Sequence, residues 1–327
     1  MSQRVALALD RLGSSLQPEA AILEPLSISV GYASPDAGRR ARQLGEAEAV
    51  LLNRTIVDAA FFESAPRCRV IVTYGVGHDH IDLQEAERRG VIVAHVPDYC
   101  TDEVADHTMA LFLAVARGIG QGDALVRAGG WGVEAVGTLH RLRGRVFGLV
   151  GFGRIARAVA ARAQAFGLTV VAYDPAFLQS SMNGEPVALL DSLRALLVAS
   201  DVVSLHLPLT PETSRLIDAR ALRQMKTGAI LINTSRGALV DLGALLDALD
   251  SGQLSGAGVD VFPDEPPDPE SITRPNLVVT PHIGYYSIES MQELKESAAR
   301  AVAAALTGAP VANRLTPASS VERELVG

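Results

Sequence analysis

The sequence predicts an α/β protein made of two doubly wound parallel sheets, each in a domain of its own. Short apolar runs alternate with stretches of helical periodicity, which is typical of parallel sheets covered by helices. Near the middle of the chain, a strand-like run leads directly into a glycine-rich turn and a helix. The length of 327 residues corresponds to roughly two domains.

Residues 1–100 are predicted to form the first domain. Amphipathic segments at residues 37–47 and 57–64 separate apolar runs that are short enough to be buried strands. The predicted strands of this domain are residues 5–9, 27–32, 49–52, 70–74 and 91–96.

Residues 101–285 are predicted to form the second domain. Residues 102–117 have an acidic first turn and a basic end, which predicts a long helix that bridges the two domains. A glycine-rich patch at residues 118–137 contains Trp131, which we expect to pack against a loop. The six predicted strands are Val146–Val150, a strand that ends at Asp174, and residues 202–207, 229–233, 257–261 and 277–280.

The last part of the chain, residues 286–327, is predicted to return to the first domain. An apolar helix is expected at residues 290–306. The polar, proline-containing tail at residues 307–327 is expected to be frayed.

The strand Val146–Val150 opens a dinucleotide-binding fingerprint, G-x-G-x-x-G/A. Gly151 allows the tight turn, and Gly153 has no side chain to keep a pyrophosphate from the backbone. Ala156 is small enough for close packing of helix and strand, and the helix N-terminus favours phosphate. These features predict a nucleotide site at the turn.

Asp174 ends the second strand of this unit, 23 residues after Gly151. A carboxylate at that place accepts hydrogen bonds from both ribose hydroxyls of NAD and repels the 2′-phosphate of NADP. The alternative is that Asp174 is only a turn residue before Pro175.

Composition and charge restrict the classes of partner. The net charge of −8 comes without a basic run, so we expect no nucleic acid and no anionic membrane as partner. No apolar stretch reaches the roughly 20 residues of a membrane helix, and the N-terminus does not resemble a signal peptide. Two cysteines give neither a disulfide framework nor metal-ligand spacing, so a cytoplasmic protein without a metal is expected.

Three polar side chains follow successive strands of the second domain. Arg236, Glu265 and His282 come after strands whose carboxyl ends meet at one edge of a parallel sheet, where ligands bind. A guanidinium can bind a carboxylate, and an imidazolium can protonate a carbonyl oxygen, with a carboxylate behind it to fix its tautomer. Alone, each has a structural alternative: an ion pair or helix cap, a solvated loop acid, and a turn histidine. Together they predict hydride transfer to a 2-oxo acid.

Seven segments in order resemble the D-isomer-specific 2-hydroxyacid dehydrogenase family, from about residue 49 to residue 313. The resemblance is strongest to the branch that contains the C-terminal-binding-protein dehydrogenase domains. The segments are YGVGHDHID (residues 74–82), VPDYCTDEVADH (96–107), RLRGRVFGLVGFGRIARAVA (141–160), SDVVSLHLPLTPET (200–213), INTSRGALVD (232–241), GVDVFPDEPP (258–267) and TPHIGYYSIES (280–290).

The resemblance implies a Rossmann NAD-binding domain inserted into a flavodoxin-like substrate domain, and a homodimer formed through the cofactor domain. It implies an NAD-dependent enzyme that interconverts a 2-oxo acid and its D-2-hydroxy acid, with Arg236, Glu265 and His282 as catalytic residues. The implied cofactor-binding residues are Gly151, Phe152, Gly153, Arg154, Ile155, Asp174, His206, Leu207, Pro208, Thr213, Thr234, Ser235, Asp260, His282 and Gly284. The implied substrate-binding residues are Tyr74, Gly75, Val76 and Gly77, of which Val76 and Gly77 use their backbone N–H groups, with Arg236 and Tyr285.

Three residues depart from the family pattern. His80 stands where the family usually has Asn, and it either holds a loop or has a functional role. Thr73 replaces a basic residue of this branch, which weakens the case for a second acidic group on the substrate and leaves room for a neutral or bulkier group. Tyr285 either forms an aromatic wall for the substrate or packs together with Tyr286.

Other candidates are interpreted as structural. His107 lies on the bridging helix, and Cys100 lacks a base at readable spacing. The alternative function is an NAD(H)-sensing regulatory protein of the C-terminal-binding-protein type. A third possibility is oxidation of a one-carbon or non-carbon acid on the same scaffold.

Overall fold

The computed structural model describes residues 4–13, 15–176 and 187–317, apart from the side chain of residue 135. The chain forms two compact units. The first comprises Met1–Tyr99 and Ser287–Gly327, and the second comprises Cys100–Tyr286. The described residues of each unit contain one parallel sheet, of five and seven strands, so the predicted α/β class with two doubly wound sheets is confirmed.

The first unit has a five-stranded sheet with the order β2-β1-β3-β4-β5, and all its strand pairs are parallel. Its central strands are buried on both faces, as expected for a sheet with helices on each side. The strands are β1 (Arg4–Ala8), β2 (Ile28–Tyr32), β3 (Ala49–Leu52), β4 (Val70–Thr73) and β5 (Ile92–Ala94).

Aspartates begin three helices of the first unit. The side chains of Asp36, Asp58 and Asp82 each accept a hydrogen bond from a backbone N–H in the first turn, which satisfies a donor that the helix leaves open. The helices are α1 (Gln17–Leu23), α2 (Ala37–Glu46), α3 (Ala59–Ser64), α4 (Leu83–Arg88) and the C-terminal helix α12 (Ile288–Thr307).

The segment that follows α12 contacts strand β5 of the first sheet. The prediction that the tail is frayed is therefore wrong for residues 308–317. Arg314 forms an antiparallel bridge with Ala94, and the Val93 N–H donates to Thr316 Oγ1 at 3.1 Å. Thr316 is buried, and its hydroxyl has a hydrogen-bond partner in this backbone N–H. The rest of the tail, residues 318–327, lies outside the described residues.

The second unit has a seven-stranded sheet with the order β12-β11-β10-β9-β6-β7-β8. The sequence predicts six strands for this unit. The seventh, β8, has two residues, too few for a readable pattern of hydrophobicity. The strands are β6 (Val146–Val150), β7 (Thr169–Tyr173), β8 (Ala188–Leu189), β9 (Val202–Leu205), β10 (Ala229–Asn233), β11 (Leu254–Val259) and β12 (Leu277–Val279).

The glycine-rich patch at residues 118–137 contains a helix that the sequence did not indicate, and Trp131 is 90% exposed rather than packed. Glycines within this segment lower its helix propensity and hide the helical period. The helices of the second unit are α5 (Thr101–Ala116), α6 (Ile119–Arg127), α7 (Arg154–Ala165), α8 (Leu193–Ala199), α9 (Ala219–Gln224), α10 (Leu242–Asp250) and α11 (Pro269–Ile272).

Two glycines of β11 let α5 lie directly on the sheet. A Cβ on Gly256 would lie 2.5 Å from Val115 Cγ1, and one on Gly258 would lie 2.9 Å from Leu111 Cβ. Side chains at these two positions would push the helix away from the sheet. The two glycines therefore allow α5 to approach β11 more closely than residues with side chains would.

No single helix among the described residues is long and apolar enough to cross a membrane. Helices α5 and α6, bent by 59° at their junction, reach the required length and composition only as a pair.

Candidate active site

The glycine turn after β6 has the geometry that its sequence predicts. Gly151 has φ +92°, in the region that favours glycine, and a Cβ there would lie 2.6 Å from the His206 carbonyl oxygen. Strand β9 pairs with β6 and ends beside this turn. A side chain at Gly151 would therefore separate the two strand ends.

The N-terminus of α7 and the tip of β7 form the cradle expected for a dinucleotide. Gly153 is the N-cap of α7, no side chain caps it, and a Cβ at this position would meet no atom within 4 Å. The open space and the uncapped helix N-terminus fit a pyrophosphate. Asp174 lies at the same turn, because its carboxylate accepts from the Phe152 N–H at 2.9 Å. These residues fit NAD.

Asp174 also serves the local turn. Its second oxygen accepts from the Ala176 N–H at 2.9 Å, which is the turn role that was the alternative interpretation. One carboxylate has enough lone pairs to accept hydrogen bonds both from the turn and from a ribose, so the two interpretations are compatible.

The segment after β9 is tied to the turn after β10. Ser235 Oγ donates to the Leu207 carbonyl at 2.7 Å, and Thr213 Oγ1 donates to the Pro208 carbonyl at 2.8 Å. His206 Nε2 lies 2.9 Å from Ser204 Oγ, and burial lowers the pKa of His206 to about 3. His206 is therefore a neutral imidazole at ordinary pH.

Arg236 begins the turn that follows β10, and Asn233 shapes that turn. Asn233 Nδ2 donates to the Arg236 carbonyl at 2.8 Å, and Asn233 Oδ1 accepts from the Ser235 N–H at 3.0 Å. Asn233 is buried, and both ends of its amide are satisfied by the turn. Sequence reasoning missed this residue, although an Asn at a strand end is a common sign of a side chain that shapes a turn.

Gly237 brings the Arg236 turn against the loop that carries Glu265. A Cβ on Gly237 would lie 1.9 Å from the carbonyl carbon of Phe262 and 2.3 Å from Pro263 N. Only a glycine allows the two backbones to approach so closely. The loops after β10 and β11 are therefore adjacent.

His282 and Glu265 form a hydrogen-bonded pair. His282 Nδ1 lies 3.0 Å from Glu265 Oε2 and 3.1 Å from Oε1, and their side chains are 28% and 22% exposed. A carboxylate only accepts, so Nδ1 carries the proton and Nε2 is the atom left for chemistry. The Phe262 N–H donates to Glu265 Oε1 at 3.2 Å and fixes the carboxylate.

His282 is one of the few non-glycine residues with a left-handed backbone, at φ +55°. Its N–H donates to the Asp260 carbonyl at 2.8 Å. The Asp260 carboxylate accepts from the N–H groups of Ile283 at 2.9 Å and Gly284 at 2.8 Å. Asp260 thus holds the whole turn that presents the imidazole, in addition to the cofactor contact that the family resemblance implies for it.

Two further side chains reach the Asp260 carboxylate. Thr280 Oγ1 donates to Oδ1 at 2.6 Å, and His107 Nε2 lies 2.9 Å from Thr280 Oγ1 and 3.5 Å from Asp260 Oδ1. Burial raises the pKa of Asp260, but hydrogen bonds from His107, Thr280 and the backbone outweigh it, so the net pKa is lowered. Sequence reasoning missed Thr280 and interpreted His107 only as structural.

The aromatic ring of Tyr285 lies close to the imidazole. The ring centroids of Tyr285 and His282 are 6.1 Å apart at an interplanar angle of 80°. This edge-to-face geometry is compatible with both alternatives left open for Tyr285. The second unit thus brings together the histidine, the glutamate, Asp260 and Tyr285.

The first unit contains the other expected substrate residues, in the loop after β4. The Tyr74 side chain is 1% exposed and its hydroxyl donates to Glu19 at 2.7 Å, so only its backbone is left for a ligand. Burial and the nearby Glu19 carboxylate raise the pKa of Tyr74. Thr73 is also buried.

The carbonyl groups of the same loop are held by the unit itself. The Gly75 carbonyl accepts from the Val96 N–H at 3.0 Å, and the Val76 carbonyl lies 2.8 Å from His95 Nδ1. These contacts leave the N–H groups of Val76 and Gly77 on the other side of the backbone. His80 O accepts from the Val57 N–H at 2.9 Å, which fits the loop-holding alternative for that segment.

No group of three or more histidine, cysteine, aspartate or glutamate side chains in the described part of the chain could hold a metal ion.

The chain is similar to known dehydrogenases in sequence. The family model for the NAD-binding domain of D-isomer specific 2-hydroxyacid dehydrogenases matches residues 109–284. A glyoxylate reductase from Thermococcus litoralis is 42% identical over 251 residues, which are 75% of this chain and 76% of that protein. A D-3-phosphoglycerate dehydrogenase from Mycobacterium tuberculosis is 37% identical over 328 residues, covering 100% of this chain and 61% of that protein.

A solved structure has the same fold. The D-lactate dehydrogenase from Aquifex aeolicus, crystallised with NAD and lactic acid, matches with a TM-score of 0.87 at 29% identity. The match covers 97% of this chain and 100% of that chain.

Proposed function

This chain belongs to the D-isomer specific 2-hydroxyacid dehydrogenase family, and we propose that within it His282 is the general acid and base for reduction of a small 2-oxo acid. The protein is an NAD-dependent D-2-hydroxyacid dehydrogenase. The observation that carries the proposal is the 3.0 Å contact between His282 Nδ1 and Glu265.

NAD(H), when bound, supplies the hydride that reduces the carbonyl carbon. The glycine turn from Gly151 to Gly153 and the N-terminus of α7 would hold its pyrophosphate, and Asp174 would hold its adenosine ribose. Asp260 would hold the carboxamide through Oδ2, which accepts one hydrogen bond in this structure while Oδ1 accepts two.

In the direction of reduction, His282 gives its Nε2 proton to the carbonyl oxygen, which becomes the hydroxyl of the product. Glu265 accepts from Nδ1–H throughout, so it keeps Nε2 directed at the substrate and stabilises the imidazolium before the transfer. Arg236 binds the substrate carboxylate and polarises the adjacent carbonyl. Oxidation uses the same groups in reverse, with Nε2 as the base.

For the substrate we propose a 2-oxo acid with a small, uncharged side chain, of which glyoxylate is the first candidate. The resemblance to glyoxylate reductases supports the small size, and Thr73 in place of a basic residue supports only the absence of charge. The N–H groups of Val76 and Gly77 are the proposed additional donors to its carboxylate. The product of a prochiral 2-oxo acid is proposed to have R configuration at C2.

We propose further that the chain acts as a homodimer in the cytoplasm, joined through the second unit. Helix α6 and the segment after it expose large apolar side chains, among them Ile119, Val126, Trp131 and Val133, which a partner subunit would cover. Trp131→Glu is expected to convert a dimer into a monomer in light scattering. A monomeric wild type would contradict this.

Absorbance of NADH during incubation with a panel of 2-oxo acids tests the function. We expect consumption of NADH with glyoxylate and pyruvate, formation of D-lactate from pyruvate, and slower turnover of oxaloacetate, which carries a second carboxylate. Tight NADH binding without turnover of any panel member would favour the sensor alternative. Parallel assays of formate and phosphite with NAD test the third possibility.

A further inference from the structure

Helix α5 presents two adjacent side chains to the carboxyl ends of strands β10 and β12. His107 lies 2.9 Å from the hydroxyl of Thr280, directly after β12, and Thr108 lies 2.8 Å from the hydroxyl of Thr234, directly after β10. Thr280 precedes His282 by two positions and Thr234 precedes Arg236 by two. One dipeptide therefore contacts both the turn that carries His282 and the turn that carries Arg236.

In the hydrogen bond between His107 and Thr280, the hydrogens available show which group donates. The Thr280 hydroxyl has one hydrogen, and the Asp260 carboxylate at 2.6 Å can only accept it. Thr280 Oγ1 must then accept from His107 Nε2–H, which fixes the tautomer of His107. The chain of donors runs from His107 through Thr280 to Asp260, and Asp260 in turn receives the N–H groups of Ile283 and Gly284.

The Thr108 contact has an equally definite direction. Thr108 Oγ1 donates to the Val104 carbonyl of its own helix at 2.7 Å, so its only hydrogen is used. The Thr234 hydroxyl therefore donates to Thr108 Oγ1. Thr108 is buried, and an unpaired hydroxyl at this place would leave a polar group without a partner.

The rest of α5 packs against the sheet and is joined to α7 at the surface. Leu111 and Val115 pack on the glycines of β11, as described above. On its outer face, Asp102 and Asp106 form ion pairs of 2.8 Å and 2.6 Å with Arg162 of α7. Helix α5 thus shares one buried core with the sheet and α7, to which the exposed ion pairs add a surface contact.

We propose that His107 and Thr108 are positioning residues of the active site, which hold the His282 turn and the Arg236 turn in register with each other. His107 acts through Thr280 and Asp260 on the left-handed turn at His282. Thr108 acts through Thr234 on the turn that carries Arg236, whose Nη1 donates to the Ser235 carbonyl at 2.8 Å. The inference rests on the proposed function, since it assigns supports to the residues that this function uses.

Pairs of threonine variants separate this role from simple packing. Thr280→Val, Thr108→Val and Thr234→Val keep the shape and remove the hydroxyl, whereas the corresponding serine variants keep the hydroxyl. We expect each valine variant to lose about threefold to tenfold in kcat/KM, the size of one net hydrogen bond, and each serine variant to recover most of it. Thr169→Val, an exposed threonine on β7, is the matched control and is expected to behave as wild type.

The two contacts should also differ in which kinetic constant they affect. Loss of the His107–Thr280 contact is expected to lower kcat more than it changes KM, because it disturbs the proton donor. Loss of the Thr108–Thr234 contact is expected to raise the KM of the 2-oxo acid more than it lowers kcat, because it disturbs the carboxylate-binding group. Equal changes of both constants in both sets would indicate general loosening and would overturn the proposal.

A double-mutant cycle of His107→Phe and Thr280→Val, with His140→Phe as exposed control, is the closing experiment. If His107 acts through Thr280, the double variant loses no more than about the larger single loss. Losses that multiply, or a Thr280→Ser variant as impaired as Thr280→Val, would overturn the proposal. Melting temperature and NADH affinity, measured for each variant, identify any that fails to fold.

Assays of the wild type and of His282→Gln under the same conditions distinguish failure of the positioning role from failure of the proposed function. Activity in wild type, its loss in His282→Gln, and unchanged kinetics in the His107 and Thr280 variants would contradict only the positioning role. A wild type without turnover of any 2-oxo acid would overturn the proposed function, and the positioning role with it.

Discussion

A Cβ on Gly237 would lie 1.9 Å from the carbonyl carbon of Phe262, so the turn that carries Arg236 and the loop that carries Glu265 touch through bare backbone. The guanidinium proposed to bind the substrate and the carboxylate proposed to orient the proton donor His282 therefore come from adjacent loops, and this close approach requires a glycine at position 237.

Gly237→Ala is expected to separate these loops. The clash is with backbone and cannot be relieved by a rotamer change, so we expect the free energy of unfolding to fall by about 1–3 kcal/mol and kcat/KM to fall at least about tenfold. Gly243→Ala is the matched control, because a Cβ there makes only an ordinary contact, 3.5 Å from Asp241 Oδ1. Urea denaturation and steady-state kinetics of both variants test this, and a Gly237→Ala variant as active as Gly243→Ala would contradict it.

Glu265→Gln tests the charge behind the imidazole. The amide oxygen can still accept from His282 Nδ1–H, so the tautomer is kept while the stabilisation of the imidazolium is lost. We expect kcat to fall by about 10–10² with little change in NADH affinity. Stopped-flow reduction of the 2-oxo acid and a fluorescence titration with NADH measure the two quantities. Undiminished kcat would show that the carboxylate only holds the loop.

Asp174→Ser tests the choice of cofactor. Loss of the carboxylate removes the acceptor for the ribose hydroxyls and the repulsion of a 2′-phosphate. We expect the ratio of kcat/KM for NADH to that for NADPH to fall by about 10–10². The serine hydroxyl retains an acceptor for the Phe152 N–H, which is bonded to Asp174 in the wild type. An unchanged ratio would leave Asp174 with its turn role alone.

His206 makes stability depend on pH. Its pKa is lowered to about 3 in the folded protein by burial, whereas the unfolded chain has an ordinary histidine near 6.5. Below pH 6.5 the unfolded chain therefore binds a proton that the folded protein does not. The stability present above pH 6.5 is progressively lost as the pH falls toward 3.

Between pH 7.5 and pH 5.5, the free energy of unfolding of the wild type is expected to fall by about 1.4 kcal/mol more than that of His206→Gln. Urea denaturation at both pH values, with His140→Gln as the exposed control, measures the difference. Parallel pH dependences of wild type and His206→Gln would show that the imidazole is protonated in the folded state.

The elements that the sequence predicted are those with a strong local pattern. Short apolar runs predict strands such as Ala229–Asn233, whose observed bounds are the same. The two-residue strand β8 and helix α6 were missed because the first is too short for a period and the second begins among glycines. Residues 308–317 were misjudged because their order depends on contacts with β5, more than 200 residues away in sequence.

The same distinction applies to the active site. His282, Glu265 and Arg236 could be selected because chemically reactive side chains at successive strand ends form a pattern in the sequence. Asn233 and Thr280 could not, because each acts through a hydrogen bond to a turn, and such contacts have no period or spacing of their own. Residues that position a turn through such hydrogen bonds can be identified only from the three-dimensional structure.

The turnover number of His282→Gln, with NADH and the best 2-oxo acid, tests the central claim most directly. If Nε2 is the proton donor, kcat falls by about 10²–10⁴ while NADH affinity stays within about threefold of wild type. A variant that turns over within about threefold of the wild-type rate would contradict the assignment of His282 as general acid and base.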